Sequence, residues 1–437
     1  MQKINQFRDE LYAGFKKRAD GSLDLIDALA SAQTVESAVE VSMSAAFRRG
    51  YSSVYDTLDE GEIEDRAMGA LLYEHQPEGS EEIGGYEIYA GDATDEGRAA
   101  AKTLADRTVQ KSQARVAGVA GHKYQWLVRL VTERKSWVAP QAVERVNSSE
   151  TANTVAARQV QSLDQRSPNP KVVVVDSGYV SKAFLAVFIG VMTVVLLIRL
   201  RSNQCLYRTP GQRVAGKPGR PAKHGVQVKL RQMPTPDREQ QCEIRGQRVI
   251  LQAWVGLHLK CVAELVGMVV CVTFLNADGT PKFKRPLWLF WTGASHLDLY
   301  LIARMYLWRF CIEHFFRFMK QHLGLCACNV VSLQGVGQWM RLCLLAYWQL
   351  LLAADLVLPA LRPWRKPADP HAPFPFTPRQ VQLALACLLC QIGTPAVPPR
   401  PAGKPPGRPM GFRPMPKTRH PVIYKSKKTR SPPPRVT

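Results

Sequence analysis

Four consecutive valines run into an aspartate in Lys171-Val-Val-Val-Val-Asp176-Ser-Gly-Tyr179. A strand that faces water on one side alternates apolar and polar residues. An unbroken β-branched run belongs to a strand covered on both faces, the condition of parallel strands in α/β proteins. Such a strand offers side chains to chemistry only at its ends, and open α/β sheets place their sites at the carboxyl ends. The run therefore predicts an α/β (α+β) fold with Asp176 delivered at the mouth of a site. Soon after it, Ala183 to Ile198 is sixteen residues without a charge. Spanning a bilayer takes about 20 residues. A core helix followed by a second buried strand accounts for this run better than a membrane segment does.

A second informative stretch is Tyr306-Leu-Trp-Arg309-Phe-Cys-Ile-Glu313-His-Phe-Phe-Arg317-Phe-Met-Lys320. Read as one helix at about 100° per residue, Tyr306, Arg309, Glu313, Arg317 and Lys320 lie within roughly 80° of arc. Leu307, Cys311, Ile312, Phe315, Phe318 and Met319 occupy the other side. One carboxylate thus stands among three cations and a phenol, above an apolar face that can anchor the helix in a core. A solvated ionic face would share this pattern, but the arrangement also suits a metal ion beside a phosphate. A further acid is offered by Tyr86-Glu-Ile-Tyr-Ala-Gly-Asp92-Ala-Thr94, read as a short strand ending in Asp92. Asp95 and Asp106 compete with it; Asp92 is preferred because it directly follows the strand pattern.

The spacing Tyr-x2-Arg-x3-Glu-x6-Lys at Tyr306, Arg309, Glu313 and Lys320 resembles the signature of DDE transposases encoded by bacterial insertion sequences. The segments from Asp176 to Phe184 and from Asp92 to Thr94 resemble that family's surroundings of its second and first acids. The resemblance implies an RNase H-like mixed sheet flanked by helices, with Asp92, Asp176 and Glu313 as catalytic residues and metal ligands. The implied cofactor is two divalent ions, Mg²⁺ or Mn²⁺, since hard cations prefer oxygen ligands. Such a pair activates a water or a 3′-hydroxyl and stabilises the leaving oxygen of a phosphodiester. The resemblance further implies DNA contacts by Tyr306, Arg309, Arg317 and Lys320. The implied partners are double-stranded DNA, both terminal repeats and target, and a second copy of the chain in a synaptic homodimer. The implied location is the bacterial cytoplasm, with the nucleoid. Members of the group carry an all-β insertion between the second and third acids, here 137 residues apart. An aromatic from that insertion can stack on a displaced base, and Trp254 and Trp291 are the candidates.

The organisation expected is a helical N-terminal region over 1–80, a first part of the catalytic core over 81–200 and a β-rich insertion over 201–290. The second part of the core follows over 291–360, then a disordered, proline-rich basic tail over 361–437. Charge supports the division. The net charge is +22, yet residues 1–106 hold 10 Lys and Arg against 22 Asp and Glu, and the remainder 48 against 14. A basic surplus of that size attracts polyanions through counterion release. The tail from Ala360 holds 19 of the 31 prolines and a single acid, Asp369, and cannot build a core. The ten cysteines lack paired zinc-ligand spacing and are expected to be reduced, mostly core thiols. Two other readings stay open on sequence: a DNA-binding relic that no longer cuts, and a basic membrane-associated protein built around Ala183 to Ile198.

Overall fold

The computed structural model describes residues 1–110, 118–133, 136–211, 220–360, 364, 374–401, 403, 407–413 and 415–425. The N-terminal region is helical, with α1 (Gln2–Gly14), α2 (Ala19–Ser31), α3 (Ala38–Val41), α4 (Ser52–Glu60) and α5 (Asp65–Glu74). Two short strands, β1 (Phe15–Lys17) and β2 (Glu62–Ile63), pair among them. Next come β3 (Glu87–Gly97), β4 (Thr108–Gln110), β5 (Val119–Leu130), β6 (Val138–Arg145), α6 (Ala152–Asp164), β7 (Lys171–Val175), α7 (Lys182–Leu185), α8 (Val187–Gly190) and β8 (Val194–Leu200). The insertion contributes β9 (Cys205–Arg208), β10 (Gln227–Lys229), β11 (Arg238–Ile244), β12 (Gln247–Leu259), β13 (Val262–Phe274) and β14 (Leu287–Trp291). The chain then returns as α9 (Leu299–Trp308), α10 (Cys311–His322), α11 (Leu333–Leu352) and α12 (Pro378–Ile392).

Twelve strands make one sheet in the order β10-β9-β12-β13-β14-β8-β7-β3-β5-β4, with β11 beside β12 and β6 beside β5. Its centre is RNase H-like. β3, β7 and β8 run parallel, while β5 and β6 are antiparallel additions beyond β3. β7 is buried at all five positions, as the valine run predicts. Strand alternation sends Val173 and Val175 to a core with α6, α7 and α8. Val172 and Val174 go to the opposite core, shared with the N-terminal helices and with α9 to α12. The charge-free run divides into α7, α8 and β8. Among the described residues, no helix is long and apolar enough to cross a membrane.

The expected segments pack into shared cores and a shared sheet. The N-terminal helices are no separate module, because their apolar faces close on α11, a 20-residue helix buried along most of its length. Buried polar groups tie them together: Arg8 of α1 donates to Asp27 of α2 at 2.9 Å, and Gln349 of α11 donates to the same carboxylate at 2.9 Å. Nor is the insertion a separate bead, since β14 pairs antiparallel with β8 and prolongs the catalytic sheet. Among the described residues beyond α12 there is no further helix or strand, yet parts of the tail are tied down. Ala396 is buried, the His420 amide donates to the Lys102 carbonyl at 2.9 Å, and Ile423 bridges to Thr108 of β4. Of the ten cysteines, all unbonded, three are buried, three half-buried and four exposed, fewer in the core than expected.

Candidate active site

Register decides where the acids meet. Ala90 of β3 pairs with Val174 of β7, and Val174 pairs with Leu197 of β8. Two residues further along each strand lie Asp92, Asp176 and Arg199. Side chains alternate with period two, so these three continue the face of Ala90, Val174 and Leu197, the one covered by α9 to α12. An acid, an acid and an arginine thus stand in a row across the sheet. β3 does not end at Asp92, as the sequence reading had it. It runs on to Gly97 against β5, with Asp92 opposite Trp126. What ends there is β7, and that opens the space beside Asp92.

Asp176 caps a 3₁₀ turn over Ser177–Tyr179, accepting from the Gly178 amide at 2.8 Å. A Cβ at Gly178 would lie 2.9 Å from the Asp176 Oδ1, so a glycine keeps this carboxylate free to turn. Behind the acids, the buried Tyr179 hydroxyl donates to Gln125 at 2.6 Å. Asp95 and Asp106 are engaged elsewhere, Asp95 with Lys123 and Asp106 with Arg145.

The stretch read as one helix is two. α9 ends at Trp308 and α10 begins at Cys311, joined by i→i+3 hydrogen bonds such as Arg309 N to Tyr306 O at 3.1 Å and Glu313 N to Phe310 O at 3.1 Å. The Trp308 indole fixes the joint by donating to the Thr132 carbonyl at 3.2 Å. The break splits the polar row. Tyr306 and Arg309 turn inward and are 9 % exposed, whereas Glu313, Arg317 and Lys320 are exposed along α10. Ile312, Phe315, Phe318 and Met319 face the core as expected, and Phe316 joins them.

Arg309 links two of the acids. Its guanidinium donates to Asp92 at 2.6 Å and lies 4.0 Å from Glu313. Burial first, and then the charges of Asp176 and Glu313, push the Asp92 carboxyl up to about 6, against the pull of Arg309 and the Ala93 amide. Burial likewise raises the Tyr306 phenol, opposed by Arg309 and Arg199. Among the described residues, no three His, Cys, Asp or Glu side chains are close enough to hold a metal ion between them. The donor chemistry nevertheless fits a hard divalent cation: carboxylate oxygens only, with the Asp92 carboxyl raised by burial and further by like-charged neighbours that a cation would neutralise.

Trp254 and Trp291 are placed away from solvent. Trp254 is 3 % exposed, its indole donates to the Pro234 carbonyl at 2.8 Å, and it packs on Trp288. Trp291 is fully buried, donates to the Ala294 carbonyl at 3.0 Å and meets Tyr86 edge-on. Neither has a free face for a base, because each belongs to a core beside the sheet. An exposed aromatic, Phe310, stands at the helix joint, edge-on against His314. Sequence reading passed over Phe310 and Arg199. Counting register would have found Arg199, which follows the apolar run Val194–Ile198 much as Asp176 follows Val172–Val175.

The chain matches the family described as DDE superfamily endonuclease over residues 10–257, more than half its length, and belongs to that family. The matched range contains Asp92 and Asp176 and stops short of Glu313. No curated protein matches the chain. Among solved structures it is similar to a piggyBac transposase synaptic complex with hairpin DNA. That similarity has 9% identity and a TM-score of 0.39, over 89% of this chain and 73% of the other.

Proposed function

We propose that this chain is a DNA transposase that cleaves at the ends of its element and joins the freed 3′-hydroxyl to target DNA, with Asp92, Asp176 and Glu313 as its catalytic acids. The observation that supports this reading is Arg309 donating to Asp92 and lying 4.0 Å from Glu313, with Asp176 in the same row across the sheet as Asp92 and the Asp92 carboxyl raised to about 6 by burial and by the charges of the other two acids. In the first reaction a water oxygen attacks phosphorus in line, and the bond to the 3′-oxygen breaks to leave a 3′-hydroxyl and a 5′-phosphate. In the second, that 3′-oxygen attacks a target phosphodiester and displaces the target's own 3′-oxygen. Two divalent ions, Mg²⁺ or Mn²⁺, carried by the three carboxylates would activate the attacking oxygen and neutralise the departing one.

The chain's own groups supply positioning. Arg317 and Lys320, exposed on α10, meet phosphates flanking the scissile bond. Arg309 and Tyr306, turned inward, face the phosphate being attacked. Loading of the site requires Arg309 to exchange its carboxylate partner for a phosphate. The partners are the element's terminal repeats, target DNA and a second copy of the chain, and the location is the bacterial nucleoid.

The test uses purified protein and duplex DNA spanning the element's end and its flank. Junction-specific cleavage to a 3′-hydroxyl with Mg²⁺ or Mn²⁺, lost with EDTA and in Glu313→Gln, is the expected result. Binding to the ends without cutting by folded protein would mean a DNA-binding relic instead.

A further inference from the structure

A cavity of about 440 Å³ opens at the carboxyl end of β8. Its wall includes Ser177, next in sequence to Asp176, and four arginines: Arg199 and Arg201 at the end of β8, and Arg231 and Arg285 from the insertion. Arg201 points its Nε at the Ser177 hydroxyl, 3.5 Å away. Several guanidiniums elsewhere are matched by acids, Arg8 by Asp27, Arg145 by Asp106, Arg158 by Glu144 and Glu150, and Arg341 by Asp65, while others, such as Arg107 and Arg248, are held by carbonyls. Among the described residues, none of the cavity's four has a carboxylate within ion-pair distance. Four like charges around one hollow repel each other unless an anion lies between them, and guanidinium forks match phosphate oxygens in pairs.

We infer that this cavity is a second phosphate-binding site, which grips the phosphodiester backbone of the DNA strand leaving the active site over β8. The inference rests on the DNA reading above and extends it. The volume is several times that of one phosphate and within the range of small-molecule sites, so it accommodates a stretch of backbone. Arg199 comes from the last core strand, Arg201 from its junction with the insertion, and Arg231 and Arg285 from the insertion, so the insertion completes this site. Arg199 faces both the cavity and Tyr306, which links the grip to the reacting phosphate.

The experiment measures the affinity of full-length protein for a fluorescent 30-base-pair duplex at a series of salt concentrations. The proteins are wild type, Arg231→Gln/Arg285→Gln, Arg231→Lys/Arg285→Lys and a control, Lys260→Gln/Lys282→Gln, whose side chains are exposed on the insertion outside the cavity. Each phosphate contact contributes roughly 0.9 to the slope of log K against log salt. The glutamine pair is expected to lower the slope by about 1.8, the lysine pair to keep it, and the control to match wild type. Thermal melts confirm that each variant is folded. A glutamine pair with the wild-type slope would overturn the inference while leaving the DNA reading intact. A wild type that binds no duplex would overturn both. Inorganic phosphate alone is the remaining arm. If it raises the melting temperature of wild type but not of the glutamine pair, while the duplex slopes are equal, the cavity holds a free anion and the backbone assignment falls.

Discussion

The central strands and the insertion strands share one sheet and are built by opposite rules. β7 is covered on both faces and apolar from Val172 to Val175, so it can present a functional group toward the site only where it stops, at Asp176. β11 alternates exposed and covered positions and carries its polar residues along its length. The central strands therefore concentrate acids at one line across the sheet, while the insertion spreads charge over a surface. Precision comes from strands that cannot shift without breaking two cores, and breadth from a strand with one face in water.

The comparison breaks first at the acids. Glu313→Gln should lower end cleavage by about 10³-fold or more, since carboxylate–metal interactions supply several kcal/mol to the transition state. The thermal stability of that variant should match wild type because Glu313 is exposed. Retained cleavage would remove Glu313 from the site. The next largest effect is electrostatic. A carboxyl whose folded value is about 6, above its ordinary 3.8, favours the folded state fully below about pH 4, and that contribution is lost as pH rises through 6. Asp92→Asn should thus be more stable relative to wild type at pH 7.5 than at pH 4.5, by about 2 kcal/mol. Denaturant midpoints at the two pH values test this, and a difference independent of pH would sink it. Added Mg²⁺ should raise the wild-type melting temperature more at pH 7.5 than at pH 4.5.

Smaller effects sharpen the contrast between the two kinds of strand. Val174→Ala, in the doubly covered strand, should cost about 2 kcal/mol by urea unfolding. Gln241→Ala, on the open face of β11, should stay within about 0.5 kcal/mol of wild type. Equal costs would mean that the two regions are packed alike.

Much of this was legible in the sequence, for reasons that differ from part to part. The valine run declared its strand because burial on both faces leaves no freedom of composition. The apolar side of α10 declared itself through its 3.6-residue period. The break at Arg309 and Phe310 did not, because both residues keep right-handed helical dihedrals and no proline or glycine marks the joint. The true length of β3 was hidden because its far half pairs only with β5, where polar residues are tolerated. The roles of Trp254 and Trp291 could not be read because burial of an indole is decided by neighbours distant in sequence. The pairing of β14 with β8, which fuses insertion and core, is likewise a long-range fact with no local mark.

That pairing has a practical consequence for anyone wishing to trim the protein. Excising residues 201–291 would not return a clean smaller enzyme. It would lay bare the outer edge of β8, whose sequence Val-Val-Leu-Leu-Ile-Arg-Leu is apolar at six of seven positions. A flat, apolar, unpaired edge is a template on which other chains add strands. The shortened chain would be driven toward fibrous aggregates, and only a replacement edge strand, or charges placed along β8, would keep it in solution.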